Sequence, residues 1–165
     1  MYQVNDTVAY SSQGICTVSE ICKRDVGGSM VDYYVLKPVA DPRSTVYVPV
    51  NNERLVCRMR TVLCSEEANQ LLGALPAAES LWVDDDNTRR ERYRALLTEG
   101  AAADIAGIFK ALLLRRRDLE ALGRKLRSSD EAFLKQTERL LCTECAEALG
   151  CAAEDVRCRL MADLL

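Results

Sequence analysis

The spacing of apolar positions along the chain changes once. Up to about residue 65 they fall in short alternating runs, and beyond it they recur at intervals of three and four. In the first stretch, β-prone runs at residues 2–10 and 14–23 form a pair joined at Ser11-Ser12-Gln13-Gly14. Gly27-Gly28 provides the next turn, before a run at 31–37, because glycine reaches positive φ without a steric penalty. Asp41-Pro42-Arg43 turns the chain again into residues 44–50, where Val46, Val48 and Val50 alternate onto one face. Residues 55–63 read as a fifth strand.

The second stretch is helical and its ends are marked. Ser65 before Glu66-Glu67 opens a short helix that Gly73 closes, and Pro76 starts a connection through Trp82. Asp84-Asp85-Asp86 and Asn87 look like a helix N-terminus, since carboxylates there oppose the positive end of the helix dipole; that helix stops at Gly100. The next, at about 102–122, carries Ile105, Phe109, Leu112 and Leu119 as a buried stripe. Ser128-x-x-Glu131 reads as a capping box for a helix with Phe133, Leu134, Thr137, Leu141, Cys145 and Ala148 on one face, closed by Gly150. A last helix covers about 153–163. The pattern therefore predicts an α+β chain: a small N-terminal SH3-like or Tudor-like β-barrel at residues 1–64, then an all-α domain of four to five helices at 65–165. Such a barrel leaves edge strands able to pair with another protein's sheet.

Composition supports the division. All four prolines and five of the six tyrosines lie at or before residue 76 of the 165. Histidine is absent, which removes Ser-His, Cys-His and His-metal chemistry, and no glycine-rich phosphate loop precedes a helix. Catalysis is not expected. Nor is a membrane span or export, because the apolar runs are short and no signal-like segment opens the chain. Of eight cysteines, only Cys142-x2-Cys145 forms a close pair, and it lies in the helical pattern with Cys151 and Cys158 beyond. Reduced thiols in a cytoplasmic protein, with no metal and no cofactor, is the expected state; a cysteine-based metal or redox sensor is the alternative.

Net charge is -3, so any nucleic-acid contact must come from a local patch. One exists. Between Arg89 and Arg127 eleven Lys or Arg stand against five Asp or Glu, a local balance of +6. Arg89, Arg90, Arg92 and Arg94 share one helix and Arg115, Arg116 and Arg117 the next, so the pair could face phosphates or could simply be solvated. Trp82, the sole tryptophan, reads either as a packing anchor or as an apolar wedge at a DNA groove.

Taken in order, these segments resemble the CarD family of bacterial transcription regulators, also called CdnL-like. The N-terminal part resembles the polymerase-interacting domain shared with the transcription-repair coupling factor. The resemblance is carried by Val4-Asn5-Asp6-Thr7-Val8-Ala9-Tyr10, Gly14-Ile15, Tyr33-Tyr34-Val35-Leu36 and Val46-Tyr47-Val48-Pro49, then by Trp82, Arg89-Arg90-Glu91-Arg92-Tyr93, Ser128-Ser129-Asp130-Glu131 with Phe133-Leu134, and residues 138–150. It implies a non-enzymatic regulator whose barrel edge pairs with the β subunit of RNA polymerase and whose helical domain contacts promoter DNA at the upstream edge of the melted bubble, stabilising the open complex. It further implies Arg24 as a polymerase contact, with Tyr47 at a second contact position where better-known members carry arginine, flanked by Val46 and Val48. For DNA it implies Arg89 and Arg90, with Arg92 on the same helix. The family tryptophan usually stands immediately before the arginines, whereas six residues separate Trp82 from Arg89. A monomer in solution is expected. The competing expectation is an adaptor whose barrel binds another protein and whose basic helices are solvated.

Overall fold

Thr7 is the first residue to join a sheet in this structure, a computed structural model that describes residues 1–10 and 13–165. The run from Tyr2 breaks earlier because Asn5 takes a left-handed φ of 75° and the Asp6 carboxylate folds back to accept from Gln3 N at 2.7 Å. Asn and Asp tolerate such turns. Strands β1 (Thr7–Tyr10), β2 (Gly14–Val26), β3 (Ser29–Pro38), β4 (Val46–Pro49) and β5 (Met59–Thr61) form one antiparallel sheet in the order β4-β3-β2-β1-β5. The turn read at Ser11-Ser12-Gln13-Gly14 lies partly outside the described residues. Gly27 and Gly28 have φ of 62° and 87°, as a two-residue hairpin turn requires, and Asp25 Oδ1 accepts from Gly28 N at 2.8 Å.

The fifth strand is shorter than its sequence suggests. Asn52 accepts from Leu55 N at 3.2 Å and caps a single helical turn, α1 (Glu53–Val56), so only Met59–Thr61 pairs with β1. Among the described residues the edge strands β4 and β5 do not pair with each other, so the ladder is open. The inner face buries Val8, Cys16, Val18, Tyr34, Leu36, Val48 and Met59. Tyr2 closes one end, its hydroxyl donating to the Met59 carbonyl at 2.8 Å and its ring edge-on to Tyr34. This first unit spans Met1–Val62, and Leu63–Leu165 forms a second.

The second unit contains α2 (Ser65–Ala74), a 3-10 turn (Leu75–Ala77), α3 (Asp86–Glu99), α4 (Ala102–Ala121), α5 (Ser128–Leu149) and α6 (Ala153–Leu164). Helix α2 runs through Gly73 into the 3-10 turn, where Pro76 stands second, in the first turn of a helical segment that needs no N–H from it. The first half of α4 is buried all round from Ile105 to Leu113, well beyond the single stripe expected of a surface helix. Even Lys110 is interior, its Nζ donating to the carbonyls of Pro76 at 2.8 Å and Ala78 at 2.6 Å. On α5 the stripe is as patterned: Leu134, Thr137, Leu141 and Cys145 are buried, with Phe133 and Ala148 at its margin.

Helix ends divide into two kinds. Asp85 caps α3 by accepting from Thr88 N at 2.8 Å, and Gly150, at φ 65°, ends α5. The expected capping box at Ser128-x-x-Glu131 does not form. Helix α5 begins at Ser128 itself after Arg127, which makes no side-chain cap. Glu131 instead lies 3.9 Å from Arg116, and the intervening Asp130 points inward. Among the described residues, no helix is long and apolar enough to cross a membrane.

The chain packs closely on α4 at Gly107: a Cβ there would lie 2.7 Å from Leu81 Cδ1. Gly107→Val is expected to lower the urea midpoint, because the larger side chain has to displace Leu81 and overpacking of this kind costs about 1–3 kcal/mol. That is more than the fraction of a kcal/mol that leaving glycine gains in a helix interior. Burial pushes the Cys16 thiol up to about 11 and Cys142 and Cys145 up to about 12. At pH 8 a thiol reagent should modify exposed Cys57, Cys64, Cys151 and Cys158 at once and reach those three only on unfolding. The folded values exceed the ordinary 9.0, so the stability from keeping these thiols neutral is complete below pH 9 and is lost as pH rises through 11 to 12.

Candidate functional site

In the first unit, the face of the sheet opposite the core collects an aromatic and a cation. Cross-strand pairing sets Cys22 beside Tyr33, and Val35 beside Tyr47, so Cys22, Arg24, Tyr33 and Tyr47 lie on one face. The Arg24 guanidinium stacks 3.8 Å from the centroid of the Tyr47 ring, and Tyr33 meets Tyr47 edge-on at 6.5 Å. A hydrogen bond to Cys22 is the main reason the Arg24 pKa is raised further above its ordinary value. Arg24 is exposed and Tyr47 is 41% exposed. Val48 points the other way, into the core, and Val46 is half-buried, so neither offers this face a side chain.

Strand β4 is also a sheet edge. Val50 N donates to the Asp32 carbonyl at 2.8 Å, and with the β3–β4 register this turns the backbone of Val46, Val48 and Val50 towards β3. Tyr47 and Pro49 therefore turn theirs outward. Proline has no N–H, so the outer edge offers the Tyr47 N–H and the two carbonyls. This arrangement can accept one short strand and no long ladder.

In the second unit the basic helix α3 separates its arginines sharply. Arg89 is 1% exposed, and every N–H of its guanidinium has a partner. Nε donates to Asp130 Oδ1 at 3.2 Å, one terminal nitrogen to Asp130 Oδ2 at 2.8 Å and Asp86 Oδ1 at 2.6 Å, the other to the carbonyls of Val83 at 2.6 Å and Asp84 at 3.3 Å. As it stands, Arg89 has no donor left for a phosphate. The carboxylates that enclose it are themselves held: Asp130 is 2% exposed, and Asp86 also accepts from Arg127. Arg90 is half-exposed and bonds back to the Asp86 carbonyl and the Asn87 side chain. Arg92 and Arg94 are exposed. At roughly 100° per residue, Arg90 and Arg94 share one flank of the buried stripe and Arg92 lies on the other.

Trp82 is half-buried. Its indole N–H donates to Asp84 Oδ1 at 2.8 Å, and its ring lies 4.2 Å from the Arg89 guanidinium and 5.2 Å from that of Arg115. Tyr93 beneath is fully buried, donates its hydroxyl to the Leu81 carbonyl at 3.2 Å, and is pushed up to about 12 by burial. Of the C-terminal cysteines, Cys142 and Cys145 are interior while Cys151 and Cys158 are exposed. Among the described residues no group of three or more Cys, Asp or Glu could hold a metal ion.

Tyr33 and Asp130 carry part of the resemblance in the sequence but were given no role there. A signal for Asp130 was present: it stands four residues before Leu134, on the apolar stripe of α5, and Arg89 stands four before Tyr93 on that of α3. One charge of each sign on two buried stripes is the pattern of an interior ion pair.

Residues 2–63 match the family model of the CarD-like/TRCF RID domain. No curated protein matches the chain.

Removing one member of the buried pair strands the other. Asp130→Asn should cost about 3–5 kcal/mol in urea unfolding, and Arg89→Met about as much. The double replacement Arg89→Met/Asp130→Leu should recover most of that loss, which a double-mutant cycle would measure directly.

Proposed function

We propose, from the membership of the N-terminal unit in the CarD-like/TRCF RID domain family, that this chain is a non-catalytic transcription regulator that docks on RNA polymerase. The observation that carries the reading is the match over residues 2–63, which takes in all five strands and both Arg24 and Tyr47. In this reading the bent, open sheet is Tudor-like and binds the polymerase β subunit through the Arg24–Tyr47 stack and the outer edge of β4. Val46 and Val48 serve from within, keeping that strand seated on its core.

The helical unit then contacts promoter DNA near the upstream edge of the melted bubble and stabilises the open complex. Arg90 and Arg92 are its phosphate contacts on α3, because their side chains reach solvent. Arg89 and Trp82 act as positioning residues: both are engaged internally, which favours the packing-anchor reading of the tryptophan. A net charge of -3 suits a protein brought to DNA by polymerase, since intrinsic DNA affinity need not be high. The reading makes it a cytoplasmic protein, monomeric until it joins the polymerase.

Capture of RNA polymerase from the host extract by tagged full-length protein tests the first half. Arg24→Glu should weaken binding at least tenfold, as should Tyr47→Ala. Retained affinity in both would reject the assigned face, and no capture by folded wild type would reject the polymerase reading and leave an adaptor. For the second half, Arg90→Gln/Arg92→Gln should shorten the open-complex lifetime and reduce the salt slope of promoter binding by about 2, close to 0.9 per lost phosphate contact.

A further inference from the structure

We propose that Lys110 latches residues 76–84 as a strap across the helical unit and thereby acts as a positioning residue for Trp82. The strap belongs to this unit alone; its consequence for promoter opening rests on the polymerase reading.

Between the 3-10 turn and α3 the chain has no regular structure. Among the described residues, 79–84 make no backbone-to-backbone hydrogen bond. The carbonyls of the strap are met by side chains instead. Lys110 Nζ donates to Pro76 at 2.8 Å and Ala78 at 2.6 Å, and the Tyr93 hydroxyl to Leu81 at 3.2 Å. Arg89 donates to Val83 at 2.6 Å and Asp84 at 3.3 Å. Three interior side chains thus supply five carbonyls, doing for this segment what a helix or a ladder does elsewhere.

The three donors are not equivalent. Arg89 is bonded to Asp130, and the Tyr93 ring meets Phe133 edge-on at 5.6 Å, so both have reasons to be interior apart from the strap. Lys110 has no such partner. It is 7% exposed, lies in the stretch of α4 that is buried all round, and meets no carboxylate among the described residues. A methionine would fill the same place with no charge to desolvate. What the lysine adds is a cation at the C-terminal end of the run formed by α2 and the 3-10 turn, where the last carbonyls carry the negative end of the helix dipole. Pro76 lies in that turn and Ala78 caps it. The buried charge therefore selects one place for the start of the strap, because anywhere else it would be unpaired.

From that point the chain crosses α4. Leu81 lies against Gly107, and Trp82 follows with its ring 4.2 Å from the Arg89 guanidinium. The indole sits between two anchors, Lys110 before it and Arg89 after it. Loss of Lys110 frees the first end while Tyr93 and Arg89 keep the second, so Trp82 gains motion without unfolding of the core.

Trp82 is the only tryptophan, so its emission reports on the strap without a label. In full-length protein, Lys110→Met should shift that emission to the red and raise acrylamide quenching about twofold, with helical circular dichroism retained. Leu160→Ala, a core truncation on α6, should lower the urea midpoint and leave quenching as in wild type. If Lys110→Met does not fold, Lys110→Gln, which keeps two N–H donors, takes its place in the same comparison. The latch is overturned if the folded variant is quenched as wild type is, or if Leu160→Ala raises quenching equally. In a promoter assay with polymerase, wild type should lengthen the open-complex lifetime and the Lys110 variant should lengthen it less. A variant with mobile Trp82 and a wild-type lifetime would reject the positioning role. No effect of wild type on that lifetime would reject the polymerase reading, whereas the emission, read without polymerase, decides the strap.

Discussion

The helical unit is organised around one buried ion pair. Arg89 and Asp130 come from helices 41 residues apart in the chain and meet where neither reaches water. An ion pair of this kind adds little over apolar residues of the same size, because desolvation offsets the Coulomb attraction. Its effect is on geometry. Either charge buried alone would cost several kcal/mol, so α3 and α5 are compatible only in the arrangement that pairs them. The same guanidinium also gathers the carbonyls of Val83 and Asp84, which holds the segment after Trp82 against the start of α3.

That constraint sorts the basic residues. A local excess of positive charge between Arg89 and Arg127 looks uniform in the sequence, yet its members do different work in the fold. Arg89 and Lys110 are interior and hold backbone carbonyls, Arg127 closes on Asp86, and Arg116 faces Glu120 and Glu131. What remains for a polyanion is a smaller set, Arg90, Arg92 and Arg94 along α3 and Arg115, Arg124 and Lys125 in and after the last turns of α4. The tryptophan that a linear reading offers to DNA is occupied by the same hub, with an arginine against its ring and an aspartate on its N–H.

The sheet of the first unit divides its roles by face and by edge. Valines 46 and 48 flank Tyr47 in sequence, but the pleat turns the tyrosine outward onto Arg24 and sends Val48 to the core. Pro49 limits what the outer edge of β4 can pair with, a device that keeps an exposed strand from recruiting unwanted partners. This face offers a short edge and a stacked cation, a surface with more specificity than reach.

Features whose physics is local were legible in the order of residues. The change of period near residue 65 separates sheet from helices, Gly27-Gly28 makes its hairpin, and Asp85 and Gly150 end their helices, because each depends on contacts within a few residues. The match to a known domain over residues 2–63 belongs to the same class, since it is carried by the order of side chains along the strands. Packing between distant segments settled the rest, where interactions competed at long range. Ser128 and Glu131 lost their capping box while Asp130 between them turned inward, and Arg89 went inside while Arg92 stayed out. In each case the local preference was worth about 1 kcal/mol, while burying or stranding a charge is worth several. Which charges are buried depends on what the rest of the chain brings to meet them.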